Sequence, residues 1–149
     1  MIGGFAVTLH GYVRTTKGVD IVPDPEAANM SKLWDALSTV DARPTDFQEF
    51  KPHALPVPFT REGFIAGDGH WALYTTLGRL DVMPHVESAD GEMIYGELRE
   101  NAVRVDLDEI GAPIWIASTA DLIAMKEHAN RDIDRIDLTA LRMAQGEET

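Results

Sequence analysis

The 149-residue chain contains no cysteine, which excludes disulfides, thiolate catalysis and cysteine-ligated zinc or iron–sulfur centres. Any metal must therefore be held by oxygen or imidazole ligands. The absence also fits an intracellular protein. No apolar run approaches the ~20 residues that span a bilayer, and the N-terminus lacks the basic region and apolar core of a signal peptide. The expectation is a cytoplasmic chain with no membrane partner. Positive charge is scarce: 13 Lys and Arg stand against 25 Asp and Glu, a formal net charge of −12. That field opposes non-specific attraction to phosphate polymers and argues against broad nucleic-acid coating. It leaves open a nucleotide or a structured RNA gripped locally, because Arg14 and Lys17 stand together with no acid before Asp20.

Several catalytic signatures are missing too. His10, His53, His70, His85 and His128 show no HExxH or other zinc spacing, and none is assigned to a metal. Ser31, Ser38, Ser88 and Ser118 sit in no nucleophile-elbow pattern. No P-loop or Rossmann fingerprint occurs. Trp34, Trp71 and Trp115 lie in apolar periodic segments, where packing explains them better than base stacking.

With 44% hydrophobic and 26% charged residues, the composition is that of an ordinary globular protein, and residues 1–149 are read as a single domain. A short helix is expected over "FAVTLHGY", stopped near Gly11. "VDIVP" reads as a strand ended by Pro23. "DPEAANMSKLWDALSTV" then reads as a helix with an aspartate cap and an apolar stripe of Met30, Leu33, Trp34 and Leu37. From Asp41 to Gly69 four prolines predict an irregular connection, open to movement, with room for one short strand. "HWALYTTLGRLDVMP" reads as a β-hairpin turning near Leu77 and Gly78. "GEMIYGELREN" reads as one short helix, and "AVRVDLDEIGAPIWIAS" as two strands joined through Gly111. Ser118 and Asp121 have capping-box spacing at the head of a helix that carries Leu122, Met125 and Ala129 on one face. The last helix, "DIDRIDLTALRMA", is expected to turn Ile133, Ile136 and Leu141 inward and to leave the alternating charges of "RDIDRIDL" in water. The sum is an α/β or α+β domain: a mixed β-sheet flanked by helices.

Two short apolar strands each carry one acid, "VDIV" at Asp20 and "LDVM" at Asp81. Either acid alone is as well explained by a solvent-facing strand position. On neighbouring strands they would form a carboxylate pair able to hold a hard divalent cation such as Mg²⁺. His85, four residues beyond Asp81, is read as a strand-end or loop histidine, with approach to the same cleft the lesser alternative.

The order "GG", "LHGYVRTTKGVDI", "LGRLDVM", "STADLIAMKEHANRDIDRIDL" resembles a minimal nucleotidyltransferase domain, of the kind found among bacterial toxin-like and AbiEii-related proteins. The resemblance covers most of the chain and implies a nucleotidyltransferase-like fold. It also implies Mg²⁺-dependent transfer of NMP from an NTP to a hydroxyl on RNA, protein or a small molecule, in a setting such as a toxin–antitoxin system. In its terms Gly3 and Gly4 let backbone amides approach the triphosphate. Arg14, Thr16 and Lys17 border the phosphates, and Lys126 offers a point charge to them, with Arg131 a weaker candidate. Asp20 and Asp81 bind Mg²⁺ and form the catalytic pair, with Asp81 placed to help deprotonate the acceptor. The chain departs from the family twice. Gly18 stands where the first aspartate of Asp-x-Asp is expected, which implies an inactivated variant, a natural pseudoenzyme or an enzyme with a substitute ligand. Only Met1 and Ile2 precede the glycine pair, which implies a shortened N-terminus or a sheet edge completed by a second copy or a partner protein. Two other readings stand beside the transferase: a catalytically inactive nucleotide-binding or interaction module of the same fold, and a plain interaction domain in which Asp20 and Asp81 are unrelated acids.

Overall fold

The computed structural model describes residues 1–45, 58–66, 69–108 and 111–146. Among them the chain forms a mixed α+β arrangement of six helices and eight strands. Its centre is a four-stranded mixed sheet in the order β1, β4, β3, β2. These are β1 (Gly18–Ile21), β2 (Arg43–Pro44), β3 (Trp71–Thr75) and β4 (Gly78–Val82). β1 runs parallel to β4, whereas β3 is antiparallel to both β4 and β2. Two separate hairpins follow: β5 (His85–Ser88) with β6 (Gly91–Ile94), and β7 (Val103–Leu107) with β8 (Ala112–Ile116).

Alternation along the strands sorts side chains onto two faces. One face carries Val19, Ile21, Trp71, Leu73, Leu80 and Val82 in register. Against it pack α2 (Ala27–Thr39) and α3 (Arg61–Ile65), through Met30, Leu37 and Phe64. Trp34, Phe59, Phe64 and Trp71 meet there at ring-centroid distances of 5.0 to 6.2 Å, as aromatic clusters favour. The expected helical stripe of α2 is thus its buried face. Asp24 does not cap it: the preceding residue Glu26 is the cap position, and Asp24 Oδ1 instead accepts from the Glu26 amide at 3.0 Å, closing the turn ahead of the helix.

A second core gathers Ala6 and Val7 of α1 (Gly3–Leu9), Leu98 of α4 (Tyr95–Asn101), Ile116 of β8, Leu122 and Met125 of α5 (Thr119–Ala129), and Leu141 of α6 (Asp132–Ala144). The first two residues join the parts. The Ile2 amide donates to Asp20 O at 2.9 Å beside β1, while the Met1 nitrogen donates to Trp115 O at 2.7 Å and Met1 O accepts from Ala117 at 2.9 Å. The start of the chain thus bridges the edge strand β1 and the β7–β8 hairpin. At the head of α5 the Ser118 hydroxyl accepts from the Asp121 amide at 3.1 Å, as its spacing predicts. Trp115 is covered by the Arg99 guanidinium, 3.5 Å from the ring centroid.

Three further expectations change. "GEMI" is not helical: it is β6, paired with β5, and the helix begins only at Tyr95. The reason is a turn used twice. Thr75-Thr76-Leu77-Gly78 and Ser88-Ala89-Asp90-Gly91 each place a glycine at φ +121°, a conformation that a side chain would strain. In each the first hydroxyl donates to the glycine carbonyl, at 2.8 and 2.7 Å, and accepts from the third residue's amide. Second, the proline-rich connection holds β2 and, unexpectedly, α3, which the Thr60 hydroxyl caps at 3.2 Å from the Gly63 amide; its residues 46–57 and 67–68, on which the expectation of movement falls, lie outside the described residues. Third, α6 turns Leu141 inward as expected but not Ile133 and Ile136. Asp134 and Asp137 are fully buried with Leu141, while Ile133 and Ile136 are 40% and 52% exposed.

Candidate functional site

The sheet's other face carries Gly18 and Asp20 on β1, Arg79 and Asp81 on β4, and Ala72 and Tyr74 on β3. Parallel register sets Gly18 beside Arg79 and Asp20 beside Asp81. The two acids thus sit side by side on neighbouring strands, as the sequence reading requires of a pair. They line one cleft of about 360 Å³ together with Gly3, His70, Arg79, Lys126 and Arg131, over a floor that includes Leu122 and Met125.

Asp20 reaches this position because Gly3 has no side chain. A Cβ on Gly3, which lies at φ +70°, would fall 1.9 Å from Asp20 Oδ2. Burial and the neighbouring Asp81 charge, with the two carboxylates in hydrogen-bond reach of one another, push the Asp20 carboxyl up to about 6, against the pull of Lys126 and Arg79. Asp81 is 9% exposed. Arg79 Nη2 lies 3.2 Å from its Oδ2, and His70 Nε2 stands 4.0 Å from its Oδ1. Two closely set carboxylates form an oxygen donor set suited to a hard divalent ion.

Along one wall of the cleft, which Lys126, Arg131 and Asp134 line, runs a charge network that joins α5, α6 and the segment before β1. Lys126 Nζ is 2.7 Å from Asp134 Oδ1 and 2.9 Å from Asp137 Oδ2. Arg131 caps Asp134 from the side, Nε to Oδ2 at 2.6 Å. Arg14 holds Asp137 with two parallel bonds, at 2.6 and 2.7 Å, the strong bidentate form. Burial alone would raise both carboxyls. Hydrogen bonds from Arg131 and Lys126 overcome it and hold Asp134 down to about 2, and those from Arg14 and Lys126 hold Asp137 below its usual value.

The sequence-selected residues thus divide. Gly3, Asp20, Asp81 and Lys126, with Arg131, share the cleft. Gly4, Arg14, Thr16 and Lys17 are not among its lining residues. Gly4 serves Arg14: a Cβ there would lie 2.7 Å from Arg14 Nη2 and 3.0 Å from Thr16 Oγ1, so its bareness makes room for the arginine on its way to Asp137. Thr16 donates to Gly18 O at 3.1 Å, and Lys17 is exposed. His85 is not in the cleft lining either; it opens β5 and stands 3.4 Å from Glu92.

Sequence reasoning missed Arg79, Asp134 and Asp137. The signal for the last two was present: Asp134, Asp137 and Leu141 share one helical stripe at i, i+3, i+7. Arg79 carried a weaker one, two residues from Asp81 and so on the same strand face. Among the described residues, His85, Glu87 and Glu92 also bring ligand atoms within 4.8 Å of one another, but all three are exposed on the β5–β6 hairpin. Compared with known proteins, the chain matches no family model and no curated protein sequence.

Proposed function

We propose that the protein is a Mg²⁺-dependent nucleotidyltransferase that moves NMP from an NTP to a hydroxyl acceptor, on a nucleotidyltransferase-like fold. The observation that carries this reading is the in-register pairing of Asp20 with Asp81 in one cleft with Lys126 and Arg131. Asp20 and Asp81 fit a divalent ion by their chemistry and their mutual repulsion, and a bound Mg²⁺ would supply charge neutralisation for the triphosphate. The acceptor oxygen forms a bond to the α-phosphorus, the bond to pyrophosphate breaks, and the hydroxyl proton passes to the carboxylate pair. Lys126 and Arg131 raise the potential at the cleft, although both are tied to Asp134 and so act as a fixed field more than as free phosphate ligands. Arg14 supports the reading differently from the resemblance: it anchors Asp137 and, through it, Lys126.

The acceptor is an RNA, a protein side chain or a small molecule; the net charge of −12 disfavours a large RNA. A toxin–antitoxin setting, a partner protein or a homo-oligomer belongs to the same proposal. Among the described residues no helix is long and apolar enough to cross a membrane. Gly18 favours a second reading, a catalytically inactive module that binds nucleotide or protein. Transfer of labelled NTPs into a cell extract, by the native chain and by Asp20→Asn and Asp81→Asn, separates the two. Labelling by the native chain that both variants lose supports the enzyme; nucleotide binding without labelling supports the inactive module.

A further inference from the structure

On the sheet face that holds the acids, each of the two strands contributes two positions, and the resemblance to nucleotidyltransferases expects a carboxylate at residue 18. Here residue 18 is glycine and its register partner is Arg79. The exchange is steric as well as chemical. A Cβ on Gly18 would lie 2.6 Å from the Arg79 carbonyl oxygen and 2.9 Å from Arg79 Cβ. β1 and β4 therefore approach too closely at this point for any side chain at 18, and Arg79 fills the face instead. Its guanidinium lies 3.2 Å from Asp81, and its charge also acts on Asp20.

We infer that Arg79 replaces the second cation of the cleft: its guanidinium supplies the positive charge that a carboxylate at position 18 would have recruited as metal, and it contacts a phosphate oxygen of the bound nucleotide. This rests on the nucleotidyltransferase reading of the same site. Three observations bear on it. Arg79 lines the cleft. Its side chain is 37% exposed and, among the described residues, only Nη2 is engaged, by Asp81, so the fork keeps donors to spend on a ligand. The other two cleft cations are already engaged: Lys126 lies between two fully buried aspartates, and Arg131, although 69% exposed, is bound to one of them. Among the described residues Arg79 pairs only with Asp81, one of the two carboxylates that would hold the ion. A planar guanidinium suits phosphate oxygens. It also competes with a divalent ion for Asp81, and with only Asp20 and Asp81 as carboxylate ligands the cleft takes one ion per chain.

The two ligands should respond with opposite signs when this charge is removed. The test uses the full chain, Arg79→Ala and Arg79→Lys, with Mn²⁺ alone as one probe and mant-ATP and mant-GTP in saturating Mg²⁺ as the other. Loss of a close like charge should tighten Mn²⁺ binding by roughly three- to tenfold, and loss of a charge-assisted phosphate contact should weaken the nucleotide by about tenfold. Arg79→Lys should restore most of the nucleotide affinity, and the native chain should bind one Mn²⁺ in the presence of nucleotide. If Arg79→Ala weakens both ligands while Arg79→Lys restores neither, Arg79 merely braces the sheet and the inference is overturned. Two Mn²⁺ per native chain, or an unchanged nucleotide affinity in Arg79→Ala, overturns it while leaving the transferase reading intact. A native chain that binds Mn²⁺ but neither nucleotide overturns both.

Discussion

Lys126→Met tests the charge network along one wall of the cleft. Lys126 is 6% exposed and its ammonium pairs with Asp134 and Asp137, both fully buried. Methionine keeps the length of the side chain and removes the charge. Removing one partner of a buried pair typically costs 3–5 kcal/mol. Here each aspartate keeps an arginine, Asp134 with Arg131 and Asp137 with Arg14, so the lower end applies. The expected loss is about 3 kcal/mol, which for a chain of this size lowers Tm by roughly 6–12 °C. Acid supplies the second readout. Asp134 falls from 3.8 to about 2 in the folded protein, so its stabilisation is complete above pH 4 and is lost as pH falls toward 2, a contribution of about 2 kcal/mol. Asp137 is lowered in the same direction. In Lys126→Met both carboxyls are less depressed and have less to lose. Differential scanning calorimetry should therefore show the gap between native and variant widest near neutral pH and closing between pH 4 and 2. A loss below about 1 kcal/mol at pH 7, or a gap that stays constant into acid, would refute the network as described.

Gly18→Ala should destabilise the fold by about 1–3 kcal/mol in urea unfolding, because its Cβ would overlap the Arg79 carbonyl. Gly18→Asp should suffer the same penalty and so fail to restore a metal ligand simply by supplying a carboxylate. Because the Asp20 carboxyl sits at about 6, Mn²⁺ affinity followed by electron paramagnetic resonance should be level above pH 7 and fall up to about tenfold per unit below pH 6, as protons compete for the same oxygen. On α6, Leu141→Ala should cost about 2–4 kcal/mol, since Leu141 is 1% exposed, whereas Ile136→Lys, 52% exposed in the native chain, should stay within about 0.5 kcal/mol. A cost for Ile136→Lys as large as that for Leu141→Ala would restore the expected orientation, in which both side chains face inward.

The α6 result shows where sequence reading works and where it stops. Two stripes compete on that helix: Ile133 and Ile136 with Met143, and Asp134 and Asp137 with Leu141. Hydrophobicity favours burial of the first. The second is buried because Lys126 and Arg14 approach from other elements and neutralise it, and partners as distant in sequence as Arg14 from Asp137 leave no local trace. The hairpin of β3 and β4 was legible because strong apolar strands flank its turn. The same turn at Ser88–Gly91 joins strands as polar as "HVES", and the hairpin signal was lost although Asp90-Gly91 marks it. At the cleft, the meeting of Asp20 with Asp81 could be anticipated from two acid-bearing apolar strands. That Gly18 accommodates a close strand approach required the register that sets it against Arg79.

The central claim is that Asp20 and Asp81 hold one divalent ion between them. Mn²⁺ titration of the native chain, Asp20→Asn, Asp81→Asn and the double variant tests it directly. A shared ion predicts that each single variant lowers affinity by at least about tenfold and that the double variant loses far less than the product of the two. Independent, multiplicative losses, or single variants that bind Mn²⁺ as the native chain does, would show that the two carboxylates do not form one site.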